Sequence, residues 1–344
     1  MRALVLVKHG APEDALEVRD WPDPTAGPGE VLIGVRAAGL NFADIVARMG
    51  LYPDAPQTPC VMGYEVAGLV DEVGAGVSGL EPGQRVLAGT RFKGFAEKVA
   101  TPAGNVMPLP ERMSFEQGAA LPVNYATAYA AVTLMGAVRP GETVLVHAAA
   151  GGVGIAALQL LRSRGANVIG TASASKHDAI RDQGAQHAID YRTQDVKREV
   201  ERITGGRGVD VVLDALGEFR ESYSLLRAGG RLIAYGASKI ATGERRNLAR
   251  TLKEVATMPR FNALRMMGDS KAVIGLNMLR WWDDRGSLEE FTNPLMELAD
   301  QGVIDPVVAK AFPLEQATDA HRFIQQRKNI GKVVLTTDAS AAAS

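Results

Sequence analysis

TVLVHAAAGGVGIAALQLLRSRG, residues 143–165, is the stretch whose reading decides the fold. An apolar run from Thr143 to His147 leads straight into Ala149-Ala150-Gly151-Gly152-Val153-Gly154, and an apolar segment of helical length follows. Strand, glycine loop and helix in that order make the fingerprint of a dinucleotide-binding βαβ unit, here with alanine at the first glycine position. Gly151 lets backbone approach a pyrophosphate, Gly154 lets the helix pack on the strand, and the helix N-terminus offers free N–H groups to phosphate. A glycine triplet alone would also serve as a simple turn. The strand–loop–helix–strand setting is what gives this one its weight.

Downstream the same texture repeats as NVIGTA, KHDAIRDQG, HAID, VKREVERIT, DVVLDAL, SYSLLRAGG and RLIAYG. Strands alternating with helices of this length predict a parallel, doubly wound sheet. Residues from Asn247 to Met267 read as one helix, AVIGLNM (272–278) as a further strand, and Asp283 to Ser287 as a boundary. Beyond it come a helix, a short strand, a second helix and the strand KVVLTT; the closing ASAAAS (339–344) is expected to fray. Upstream, as far as Pro122, short Val-rich runs broken by glycine and proline (ALVLVK, EVLIGVRAAGL, EVAGLVDEVG, QRVLAGT) fit a compact, mostly antiparallel β domain. The expected fold class is therefore α/β. A mostly β domain occupies 1–122, a Rossmann dinucleotide-binding domain 123–285, and a C-terminal segment, 286–344, returns to the first domain.

Length and composition agree with two globular domains: 344 residues, 46% hydrophobic and 22% charged. With 38 basic and 39 acidic side chains the net charge is −1, so no global field draws the chain to nucleic acid or to an anionic membrane. No window approaches the roughly 18 uninterrupted apolar residues of a membrane span, and the N-terminus lacks the flanks of a signal peptide, so a cytoplasmic protein is expected. The single cysteine, Cys60, excludes an intramolecular disulfide and any zinc site built on several thiolates.

An NAD site would carry an acid at the end of the second strand, about 20 residues after the glycines, to accept from the ribose hydroxyls. Here that strand ends Thr171-Ala172-Ser173-Ala174-Ser175-Lys176, with no acid before Asp178. A carboxylate would repel a 2′-phosphate, whereas Ser173 and Lys176 would bind one, so NADPH is the expected cofactor. The alternative for Lys176 is a solvated lysine at a helix start.

GLNFADIVARMGLYP (39–53), GYEVAGLVDEVG (63–74), PGQRV (82–86), LPVNYATAY (121–129), VHAAAGGVG (146–154) and GTASASKH (170–177) together resemble the medium-chain dehydrogenase/reductase superfamily over nearly the whole chain. Within it they are similar to the zinc-independent quinone oxidoreductases, and GTASASKH with GERRNLAR (243–250) is especially similar to the vesicle amine transport protein 1 group. The resemblance implies that the β domain is GroES-like. The strand AVIGLNM, apolar and near the end of the dinucleotide-binding sheet, is expected to pair with its copy in a twofold homodimer. Zinc-dependent relatives hold their metal with a cysteine in the slot of Asn41 and a histidine in that of Tyr64, beside Glu65. Only TRFKG (90–94) stands where they carry a four-cysteine lobe, so no zinc is expected. Glu65 reads equally well as a buried structural acid.

By the same resemblance Asn41, Tyr52 and Thr127 would line the cleft at the nicotinamide as catalytic residues. The Asn41 amide would donate to a substrate carbonyl and the Tyr52 phenol would donate or relay a proton. Asn41 could equally satisfy a turn, and Tyr52 could simply pack over a loop. Cofactor contacts carry over to Phe42, Thr127, Gly151, Gly152, Val153, Ser173, Lys176, Tyr191, Leu216, Gly236, Ala237, Leu276 and Arg327, with Lys176, Tyr191 and Arg327 around the 2′-phosphate. Glu218 stands where relatives commonly have a neutral residue. The expected function is hydride transfer from NADPH to a quinone or α,β-unsaturated carbonyl without zinc, since hydride delivery to an electron-poor acceptor needs little Lewis-acid help. The alternative is an NADPH-binding protein with little turnover that acts as a lipid or membrane-surface partner, suggested by Arg245, Arg246, Arg250 and Lys253 beside FNALRMM.

Overall fold

The computed structural model describes residues 1–241, 243–244 and 248–337. Asp338–Ser344, which include the closing ASAAAS, lie outside them, as do Arg245 and Arg246 of the basic cluster. Six parallel strands form one sheet in the spatial order His187–Asp190, Asn167–Ala172, Thr143–Val146, Val209–Asp214, Leu226–Ala234 and Ala272–Gly275. Numbered along the chain this is 3-2-1-4-5-6, the dinucleotide-binding order, and the order reverses between Thr143–Val146 and Val209–Asp214. Val209–Asp214 is buried at all six positions, as a strand covered on both faces must be.

The other large sheet is mixed. Its main path runs Val308–Pro313, Lys332–Thr336, Glu30–Leu40, Glu65–Val73, Arg85–Gly89 and Val106–Pro108, with Lys98–Pro102 also pairing Glu30–Leu40. The tail thus returns: Lys332–Thr336 lies antiparallel to Glu30–Leu40 with Val333 opposite Leu40. That register brings Lys332 to the end of the strand that leads into Asn41. An isolated bridge from Gly331 to Gly151 ties the same return strand to the glycine loop of the parallel sheet. The cleft between the two sheets is therefore walled by three distant stretches of chain.

Two expectations are corrected. Asn247–Met267 is not one helix but two, Leu248–Thr257 and Ala263–Asp269. Pro259 interrupts the run, because proline restricts both its own φ and the residue before it. Asn262 caps the second helix, its Oδ1 accepting from the N–H groups of Leu264 and Arg265. AVIGLNM is strand only over Ala272–Gly275. Asn277 accepts from Leu279 and Arg280 and starts the helix Met278–Arg285, which ends at Gly286 in the left-handed region, φ 76°. Among the described residues no helix is long and apolar enough to cross a membrane.

Candidate active site

A cavity of about 560 Å³ opens where the sheet order reverses and runs along the glycine loop to the mixed sheet. Asn41, Phe42, Tyr52, Thr127, Gly151, Gly152, Val153, Ser173, Lys176, Tyr191, Leu216, Gly236, Ala237 and Arg327 all line it. Leu276 does not: it is 7% exposed and packs in the hydrophobic core. It follows the last strand, and its N–H bonds to the Ala234 carbonyl.

The glycine loop is shaped by what a side chain would meet. A Cβ at Gly154 would lie 2.5 Å from the Ala148 carbonyl and 2.6 Å from that of Ala149, so only glycine lets the helix Gly152–Ser163 sit this close to its strand. A Cβ at Gly152 would strike the Asn124 amide at 2.1 Å. The helix begins with no side-chain cap, which leaves its first N–H groups directed at the cavity. Below the loop a buried chain of hydrogen bonds fixes both sides of the crevice. Thr171 Oγ1 accepts from the Ala148 N–H at 3.3 Å and pairs with His147 Nδ1 at 3.3 Å; His147 Nε2 meets Ser222 Oγ at 3.3 Å; Ser222 donates to Asp214 Oδ2 at 2.8 Å. Asp214 Oδ1 in turn accepts from the N–H groups of Leu216 and Gly217. Burial pushes His147 below the usual imidazole range despite the pull of Asp214, so it stays neutral.

At one end of the cavity the cations gather. Lys176 Nζ donates to the carbonyls of Arg327 at 2.7 Å and Asn329 at 2.6 Å, which leaves its third N–H uncommitted. Arg327, held at φ 54°, reaches Tyr191 Oη at 3.4 Å. Burial raises the Tyr191 phenol, but hydrogen bonds from Arg327 and Arg192 outweigh it and leave the phenol below its usual range. Ser173 is buried beside them. Glu218 forms an ion pair with Lys239.

The other end is built on a lysine the sequence reading did not single out. Lys332, 3% exposed, forms an ion pair with the fully buried Glu65 and donates to Asn41 Oδ1 at 2.6 Å and, at a long 3.4 Å, to Asn124 Oδ1. Asn41 Nδ2 donates to Glu65 Oε1 at 2.9 Å and to the Gly39 carbonyl at 3.3 Å; the Val123 N–H closes on Glu65 Oε2 at 2.7 Å. Asn41 therefore has no N–H left for a substrate carbonyl, contrary to the role expected of it. Thr127 spends its hydroxyl proton on the Val123 carbonyl at 2.7 Å. Tyr52 remains: half-buried, raised above the usual phenol range by burial and by Asp54, and protonated at neutral pH. Asp44 Oδ2 accepts from the Asn41 N–H at 2.8 Å, and burial pushes its carboxyl up to about 7.

Comparison with known proteins agrees with this architecture. The family described as Alcohol dehydrogenase GroES-like domain matches residues 27–111, and Zinc-binding dehydrogenase matches 183–335. The rat synaptic vesicle membrane protein VAT-1 homolog is 41% identical over 339 residues, 97% of this chain and 84% of that protein. Among solved structures, human VAT-1 homolog-like protein superimposes with a TM-score of 0.85 at 36% identity, covering 98% of both chains. Escherichia coli quinone oxidoreductase complexed with NADPH gives 0.85 at 30% identity, covering 98% of this chain and 100% of that one. With a parallel dinucleotide-binding sheet, a GroES-like partner sheet and these relatives, the chain belongs to the medium-chain dehydrogenase/reductase superfamily, in the quinone oxidoreductase branch near the VAT-1 homologs.

Proposed function

We propose that this protein is an NADPH-dependent, zinc-independent reductase of quinones or α,β-unsaturated carbonyls. The observation that carries the reading is the polarity of one continuous cavity: Lys176, Tyr191 and Arg327 at one end, the glycine loop between, and Tyr52 with Lys332 at the other. The cationic end fits the 2′-phosphate of NADPH, and the helix start at Gly152 fits its pyrophosphate. NADPH bound there supplies the hydride. The chain's own residues do the rest: Tyr52 donates a proton to the reduced acceptor, and the Lys332 ammonium favours negative charge developing on the acceptor oxygen.

Zinc finds no suitable donors in this arrangement. Asn41 and Glu65 give their oxygens to the Lys332 ammonium, a cation that would face the metal, and Tyr64 stands in the relatives' histidine slot. The reading is tested by following NADPH oxidation against a panel of quinones, 2-alkenals and enones, with NADH as control. Absence of turnover against every acceptor overturns it. Elemental analysis giving about one zinc per chain, lost together with activity on chelation, overturns the metal-free part.

A second reading, an NADPH-binding partner of lipid surfaces, draws on Leu252, Val255, Leu264 and Met267, which are 53–74% exposed near the exposed Lys253, Arg260 and Arg265. The rat and human relatives carry "vesicle membrane protein" in their names.

A further inference from the structure

Asn124 carries an amide nitrogen that the protein buries against its glycine loop and leaves without a partner. The residue sits in the helix Pro122–Tyr129, one turn before Thr127, so the two side chains leave the same face and both line the cavity. Asn124 is 5% exposed, and the next two residues, Tyr125 and Ala126, belong to the hydrophobic core. Asparagine is a poor helix former, and a buried amide costs free energy unless its donors are met. Here only the oxygen is met. Oδ1 accepts from Lys332 Nζ at 3.4 Å, and among the described residues Nδ2 has no hydrogen-bond partner.

Lys332 also settles which way the amide faces. An ammonium has donors and no acceptor, so turning Nδ2 toward it would set like against like. With Oδ1 held there, Nδ2 lies over Gly152, on the spot where a Cβ would collide with it. The glycine thus keeps the ground between the amide and the loop free of any side chain. Gly152 opens the helix Gly152–Ser163, 12 residues long and without a side-chain cap, so its first N–H groups share the cavity with the amide. Helix N–H groups and a free amide side by side, with a buried ammonium behind them, suit an oxyanion.

Resting on the reductase reading above, we propose that Asn124 is a cofactor-binding residue, its amide N–H groups donating to the pyrophosphate that the helix start at Gly152 holds in that reading. A donor already desolvated and oriented by Lys332 loses little freedom on meeting its acceptor. Asn124 supplies the free amide that Asn41 lacks, since the Asn41 nitrogen is committed to Glu65 and the Gly39 carbonyl. Its task differs from that of Lys176. Lys176 reads the 2′-phosphate and separates NADPH from NADH, whereas Asn124 reads the group that both cofactors share.

That difference supplies the test. Calorimetric titration of the full chain uses NADPH, NADH and 2′-phospho-ADP-ribose, which contain the pyrophosphate, and adenosine 2′-monophosphate, which does not. Asn124→Ala is expected to weaken the first three about ten-fold or more and to leave the fourth unchanged. Asn124→Asp keeps the size of the side chain and its contact with Lys332 but replaces the donors with negative charge. Without cofactor it should melt no lower than Asn124→Ala, yet bind the three pyrophosphate probes more weakly still. A residue that merely packs would lose affinity in step with melting temperature and for all four probes alike. Wild-type affinity for NADPH and NADH in Asn124→Ala, or equal losses across the four probes, overturns the assignment. Should Asn124→Ala not fold, wild-type affinity in Asn124→Asp overturns it. The reductase reading fails separately: a wild-type protein that binds NADPH but reduces no acceptor overturns that reading and leaves the Asn124 contact standing. A wild-type protein that binds none of the pyrophosphate probes overturns both.

Discussion

Lys332 is the residue on which the Tyr52 end of the cavity depends, because among the described residues it is the cation paired with the fully buried Glu65 in a place almost closed to water. Removing one partner of a buried pair leaves the other uncompensated, so Lys332→Met is expected to cost about 3–5 kcal/mol of stability. Adding Glu65→Gln should recover much of that loss, since the orphaned charge goes with it. A thermal-melt double-mutant cycle reads the coupling, and strictly additive losses would show that the pair is not a unit. Lys176 asks a different question, because it both lines the cationic end of the cavity, where the 2′-phosphate is proposed to bind, and ties down the Arg327 and Asn329 carbonyls. Lys176→Ala should lose about 1.5–3 kcal/mol of NADPH binding through its charge-assisted bond. NADH should lose less, only what the loosened 327–329 turn costs. Ser173→Asp leaves that turn alone and should narrow the preference for NADPH by repelling the phosphate. Fluorescence titration of both cofactors measures the ratio. Equal losses for the two in Lys176→Ala would make it a lysine that caps carbonyls and nothing more.

At the scale of elements, the glycine loop divides into residues with separable jobs. Gly154 is required by backbone carbonyls at 2.5 and 2.6 Å, which cannot move without shifting the strand. Gly154→Ala should therefore cost stability, about 1–3 kcal/mol, as overpacking does, and weaken NADPH binding with it. Gly151 has an ordinary φ of −75°, and a Cβ there would meet only the Ala148 carbonyl at 3.2 Å. Gly151→Ala is expected to melt close to wild type yet bind NADPH less well, the methyl facing the cofactor's path. Matched melting and titration curves would show this split, and equal destabilisation in both variants would refute it. This loop was legible in the sequence because its constraint is local: strand, glycines and helix are adjacent. Lys332 was not legible, because only the long-range register of Val333 against Leu40 brings it to Asn41. Asn247–Met267 was misread for the opposite reason, apolar spacing that continues past Pro259 and hides the break. Leu276 was placed by resemblance to relatives, and only the path of the chain after Gly275 shows it turning into the core.

For the whole molecule, the open question is what covers the end of the parallel sheet. Ala272–Gly275 has a neighbouring strand on one side only among the described residues, and an open edge is a template for pairing. Among the described residues, four of the five exposed large hydrophobic side chains, Leu252, Val255, Leu264 and Met267, fall on the two helices that precede this strand in the chain. An edge strand with apolar helices leading into it suits a second copy of the chain related by a twofold axis, since such an interface matches a patch with itself. It suits a lipid surface less well, because an open row of backbone N–H and C=O groups gains nothing from acyl chains. The protein is therefore expected to be a homodimer through this edge. Light scattering at micromolar concentration should give twice the 36.5 kDa chain mass. The pair Leu264→Lys and Met267→Lys, at positions 74% and 72% exposed, should shift it toward monomer with little loss of fold. A wild-type protein that is monomeric at micromolar concentration and sediments with anionic vesicles would reverse the assignment and give this face to the membrane.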